Sequence, residues 1–65
     1  MAKAEEIFSV EATIRVKREK AILIELHGEE FWLPISQLFD ADELPNAGPA
    51  RVKMTEWIAK EKGLR

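Results

Sequence analysis

The chain has 65 residues, no cysteine and a formal net charge of −2. These totals exclude a disulfide framework, a thiolate metal site and a global electrostatic pull towards nucleic acid. A domain this short buries only about 60% of the surface its unfolded chain exposes, so a homodimer or a protein partner is an economical source of added stability.

The hydrophobic fraction of 46% argues for a folded domain rather than a disordered one. Met1-Ala2-Lys3-Ala4-Glu5-Glu6 lacks the apolar stretch of a signal peptide. The longest apolar run, Ala21-Ile22-Leu23-Ile24, falls far short of the roughly 20 residues that span a membrane. The expectation is a cytoplasmic protein with no membrane association.

Phe8, Val10, Ala12, Ile14 and Val16 alternate with Ser9, Glu11, Thr13, Arg15 and Lys17. This period of two predicts a long strand with one apolar and one polar face. The charges Lys17-Arg18-Glu19-Lys20 then form a polar turn. Ala21 to Leu26 is the second strand and Glu30 to Leu33 the third. Gly28 between them supplies the positive φ of a tight hairpin.

Two registers are compatible with this hairpin. A two-residue loop at Gly28-Glu29 pairs Leu26 with Phe31 and Ile24 with Leu33. Ile22, Ile24, Leu26, Phe31 and Leu33 then share the core face, and Leu23, Glu25 and Trp32 the other. A three-residue loop shifts the register by one and turns Trp32 inwards.

Pro34 ends the third strand, because it has no N–H to give a ladder. Ile35 to Phe39 fits a turn of 3₁₀ or α geometry. Asp40 to Pro49 reads as an acidic loop punctuated by Pro45, Asn46, Gly48 and Pro49. Ala50 to Met54 is a fourth strand, alternating Val52 and Met54 against Arg51 and Lys53. Thr55 then caps a helix, Gly63 stops it, and Leu64 folds back as in a Schellman ending. So short a helix is marginal alone, which requires Trp57 and Ile58 to be buried on the sheet.

This order predicts a mainly β fold: a small SH3-like or OB-like antiparallel β-barrel of four to five strands with one C-terminal α-helix. It forms a single domain over residues 1–65, with the helix over 55–62. The alternative is α+β, a four-stranded antiparallel sheet covered by one helix.

The residues hold little catalytic chemistry. His27, the only histidine, could form a triad with Ser36 and Asp40 only by an approach that no motif supports, and Ser36 lacks nucleophile-elbow glycines. Asp40-Ala41-Asp42-Glu43 fails as a calcium loop, because Pro45 stands at the glycine position and Arg51 at the closing glutamate. Glu29 and Glu30 are adjacent on a strand and point to opposite faces. No phosphate loop, metal-ligand spacing or small-molecule substrate site is evident. The expectation is a binding module rather than an enzyme, with no catalytic residue, metal or cofactor.

Two features suggest binding. Arg15, Lys17, Arg18 and Lys20 form a basic run around one turn, and an outward Trp32 would stack bases while these residues met phosphates. Alternatively, Leu23 and an outward Trp32 form an apolar anchor for a protein. Glu29, Glu30, Asp40, Asp42 and Glu43 would then face a basic partner surface.

Three segments carry a resemblance: Lys20-Ala21-Ile22-Leu23-Ile24-Glu25-Leu26, Trp32-Leu33-Pro34-Ile35-Ser36-Gln37 and Glu56-Trp57-Ile58-Ala59-Lys60-Glu61-Lys62-Gly63-Leu64. Together they resemble a group of small phage- and prophage-encoded proteins with a Trp-Leu-Pro-x-Ser-Gln element, over roughly residues 20 to 64. Ile35 stands where that group commonly has lysine, and the loop from Asp40 to Pro49 differs in length. The resemblance implies an accessory protein of a phage or mobile element, associated with nucleic-acid transactions. It implies no catalytic residues. The corresponding protein-binding alternative is an inhibitor or adaptor of a host defence or nuclease protein.

Overall fold

A computed structural model describes residues 6–64. The expectation for the N-terminal segment therefore concerns residues 1–5 that lie outside the described part, as does Arg65. Alternation along β1 (Ile7–Lys17) builds the inner face. Ala12 and Ile14 are buried, and Phe8 and Val10 pack against the core from its margin. β2 (Ala21–Leu26) adds buried Ile22 and Ile24, and β3 (Glu29–Pro34) adds buried Leu33.

The β2–β3 turn is His27-Gly28, with Leu26 opposite Glu29, Ile24 opposite Phe31 and Ile22 opposite Leu33. Both turn residues have positive φ, 54° for His27 and 82° for Gly28, the signature of a type I′ hairpin. The turn thus starts one residue earlier than Gly28-Glu29. The pairing slides by two residues, so every side chain keeps its expected face. The alternative with Trp32 inwards does not occur: Trp32 lies opposite Leu23 and is 45% exposed.

A 3₁₀ turn at Ile35–Gln37 follows, as expected, and leads into β4, a two-residue strand (Leu38–Phe39) that the sequence pattern did not indicate. The acidic loop contains a second 3₁₀ turn at Ala41–Glu43. β5 (Gly48–Thr55) begins earlier than expected and takes in Gly48 and Pro49. It pairs with β1 along its whole length, from Ile7 opposite Thr55 to Ile14 opposite Gly48.

The result is mainly β: five antiparallel strands in the order β3-β2-β1-β5-β4, followed by α1 (Glu56–Glu61). The sheet is not closed. Its two edges are β3 and the short β4.

Helix α1 is held at both ends. The Ile58 amide donates to Thr55 Oγ1 at 3.2 Å, and Thr55 Oγ1 donates to Gln37 Oε1 at 2.7 Å. One buried hydroxyl therefore caps the helix and ties it to the first 3₁₀ turn. At the other end the Leu64 amide donates to the Ala59 carbonyl and the Gly63 amide to the Lys60 carbonyl, with Gly63 at φ 74°. This is the expected Schellman ending.

Ile58 and Ala59 are buried, but Trp57 is 60% exposed, which corrects the expectation that it anchors the helix. Successive helical residues lie about 100° apart, and a helix of six residues presents only one narrow stripe to the sheet. Ile58 and Ala59 occupy that stripe and leave Trp57 outside. Among the described residues, no helix is long and apolar enough to cross a membrane.

Candidate binding face

The outer face is shaped by an irregularity in β1. Ile14 lies opposite Ile24, but Val16 lies opposite Leu23 and Lys17 opposite Ile22. Arg15 is the extra residue of a β-bulge, and each side chain beyond it changes face. This corrects the expectation that Val16 belongs to the core and that Lys17 shares the polar face with Arg15. Val16 turns outward to join Leu23 and Trp32, forming one cross-strand row over β1, β2 and β3. Neither Val16 nor Leu23 packs against the buried cluster. The adjoining pair Ala21 and Pro34 extends the apolar surface by one row.

On the other side of this stripe, Arg15 is bracketed by carboxylates. Its Nη1 lies 3.5 Å from Glu25 Oε1 and its Nε 3.8 Å from Glu30 Oε2. Glu25 and Glu30 are themselves cross-strand partners. The cation separates two like charges that would repel if left side by side. These are exposed pairs, each worth at most about 1 kcal/mol. Their main effect is to line the border of the apolar stripe with paired charges.

The basic run is thereby divided. Arg15 is paired with acids. Lys17 donates from Nζ to the Leu44 carbonyl at 2.7 Å, which pins the loop between β4 and β5 over the inner face. Arg18 and Lys20 remain exposed on the β1–β2 turn, and among the described residues neither has a carboxylate partner. The expected four-residue phosphate-binding set is thus reduced to two side chains. Both stand close to the Pro34 end of the stripe, because the Ile35 amide donates to the Lys20 carbonyl at 2.8 Å.

The acidic set is not one surface either. Glu29 sits beside the His27-Gly28 turn, where it lines a depression with Gly63 and Leu64. Glu30 faces Arg15. Asp40, at φ 57°, accepts from Lys53 Nζ at 3.3 Å. Asp42 and Glu43 are exposed on the second 3₁₀ turn, with Asp42 beside Arg18 in a second depression. The acids are therefore split between the hairpin end of β3, the Lys53 side of β5 and the neighbourhood of the β1–β2 turn, and they do not form one surface.

His27 and Ser36 are not brought together. The whole of β3 separates them, about 20 Å of extended chain. Among the described residues, no group of three or more His, Asp or Glu side chains could hold a metal ion. No buried side-chain polar atom in the described part lacks a hydrogen-bond partner.

Sequence reasoning placed Leu23 and Trp32 on the outer face only in the register of a two-residue loop, and it missed Val16, whose unbroken alternation concealed the bulge. The continuous run Ile22-Leu23-Ile24 was the available signal. A strand that is apolar on both faces requires an apolar neighbour on each. Neither a family model, a curated protein nor a solved structure matches this chain.

Proposed function

We propose that the protein is a non-enzymatic binding module that docks a protein partner on the row Val16, Leu23 and Trp32. The single observation behind this reading is the outward turn of Val16 at the Arg15 bulge, which makes the row continuous across three strands. An exposed tryptophan within an apolar row and an ion-paired polar border are the anatomy of an interface core and its rim. The resemblance to small phage- and prophage-encoded proteins supports a cytoplasmic accessory role, with a nucleic-acid-processing protein or a host defence or nuclease protein as partner.

The test is a photo-crosslinking residue at position 23, in the middle of the row, with the same residue at position 57 as control. Position 23 is expected to capture a discrete protein species in host cells that position 57 does not. Equal capture at the two positions, or none at position 23, rejects the reading.

A second reading keeps direct contact with single-stranded nucleic acid. The observation favouring it is that unpaired Arg18 and Lys20 adjoin the end of the Trp32 row. Because Arg15 and Lys17 are engaged elsewhere, only two cations would meet phosphates. Log affinity should then fall against log salt with a slope of about −1.4, rather than the roughly −2.8 of four contacts. A titration with single-stranded DNA that shows no binding at low salt removes this reading.

A further inference from the structure

The free edge of β3 lies beside the same row, and its backbone is open at Glu30 and Trp32, with Pro34 the one edge-facing position that lacks an amide. The bond from the Ile35 amide to the Lys20 carbonyl sets the phase of the β2–β3 ladder. Residues 29, 31, 33 and 35 face β2 with their backbone groups. The amides of Glu30 and Trp32, and the carbonyls of Glu30, Trp32 and Pro34, therefore point to the open edge. Among the described residues, no strand pairs with that edge. The other edge strand, β4, has only two residues, and brevity is one of the usual protections against pairing. β3 is six residues long and carries no lysine.

We infer that β3 is the joint of a homodimer, in which two copies pair antiparallel about a two-fold axis at Trp32. This register places Trp32 opposite Trp32 of the second copy and Glu30 opposite its Pro34. Each Trp32 amide meets a Trp32 carbonyl, and each Glu30 amide meets a Pro34 carbonyl. The missing N–H of proline then falls where no amide is left unpaired, since it costs only a bond to the Glu30 carbonyl, which stays open to water.

Charge selects a second copy over an unrelated strand. Exposed Glu29 marks one end of β3, and exposed Lys20 sits across from Ile35 at the other. Glu29 belongs to the ladder phase that carries the inner face, and Lys20 lies one residue before β2, next to the Ile35 amide at the start of the 3₁₀ turn. Antiparallel pairing sets Glu29 of one copy against Ile35 of the other, with Lys20 of that copy one strand further. That spacing is about 10 Å between backbones, within reach of a lysine and a glutamate side chain. The two-fold axis repeats the contact. A register centred on Phe31 would instead oppose Glu30 to Trp32 and break the apolar row.

Centred on Trp32, the dimer doubles that row to Val16, Leu23 and Trp32 followed by the same residues of the second copy in reverse. The doubled docking surface rests on the reading of this row as the binding face; the edge pairing itself does not. The contact is small, at the low end of interface sizes, so a concentration-dependent dimer is expected.

Sedimentation equilibrium of the purified chain tests this from micromolar to millimolar concentration. Wild type should shift from monomer to dimer across this range. Trp32→Lys and Lys20→Glu, each checked for folding by circular dichroism, should move the midpoint to at least tenfold higher concentration. The double variant Glu29→Lys/Lys20→Glu should regain dimerisation, because the swapped charges again oppose. A wild-type chain that stays monomeric throughout overturns the inference. So does dimerisation unaltered by Trp32→Lys, or a charge swap that fails to restore what Lys20→Glu loses. A dimer without capture at position 23 would reject the docking reading alone, and capture by a strict monomer would reject the dimer alone.

Discussion

Lys17 shows how far a residue's role can depart from its composition. It belongs to a basic run, yet its ammonium crosses to the inner face and binds the Leu44 carbonyl at 2.7 Å. A charged donor on a neutral acceptor at a part-buried site contributes about 1.5–3 kcal/mol. Lys17→Met is expected to lower the unfolding free energy by about 1.5 kcal/mol, while Arg18→Ser changes it by less than about 0.5 kcal/mol. Urea denaturation of the two variants measures the difference. Equal effects would mean that Lys17 is an ordinary surface cation. Trp32 stands at the opposite extreme, since its exposure follows from register alone and no property of the residue itself decides it.

At the scale of elements, α1 is stabilised by its ends and by one stripe. Thr55 and Gly63 cap it, and Ile58 and Ala59 form its contact with the sheet. Ile58→Ala is expected to cost about 2–4 kcal/mol, and Trp57→Ala no more than about 0.5 kcal/mol. Thermal or urea melts of both variants check this; a larger loss for Trp57→Ala would contradict the exposure of its ring. Both caps were legible in the sequence, because capping depends on local chemistry at fixed offsets. The choice between Trp57 and Ile58 was not legible, because it depends on where the sheet lies. The hairpin divides in the same way. Its strands were readable from alternation, but the register was not, since the turn begins at His27, a non-glycine residue at positive φ. β4 escaped notice for a further reason: two residues carry no periodicity.

At the scale of the molecule, the two exposed tryptophans belong to different ends. Ile7 lies opposite Thr55, next to α1 and Trp57, whereas Val16 lies opposite Leu23 and beside Trp32. Nine residue steps along β1 separate Ile7 from Val16, about 30 Å, comparable with the longest dimension of 36 Å. The helix end is therefore the structural end of the sheet, and the bulged end carries the candidate face. Mainly β architecture with a terminal helix was readable from the chain. The face itself was only half readable, because a bulge shifts phase by one residue without interrupting the alternating pattern that surrounds it. The docking reading depends on this shift, because it is what brings Val16 into the row. Its most direct test uses the absence of native cysteine, by measuring thiol-labelling rates of Ile14→Cys, Val16→Cys, Lys17→Cys and Trp32→Cys in the folded protein. Val16→Cys should label faster than Lys17→Cys, and Ile14→Cys, which is buried, should be the most protected. Rapid labelling at position 17 with protection at position 16 would show alternation running unbroken through β1, and would contradict the account.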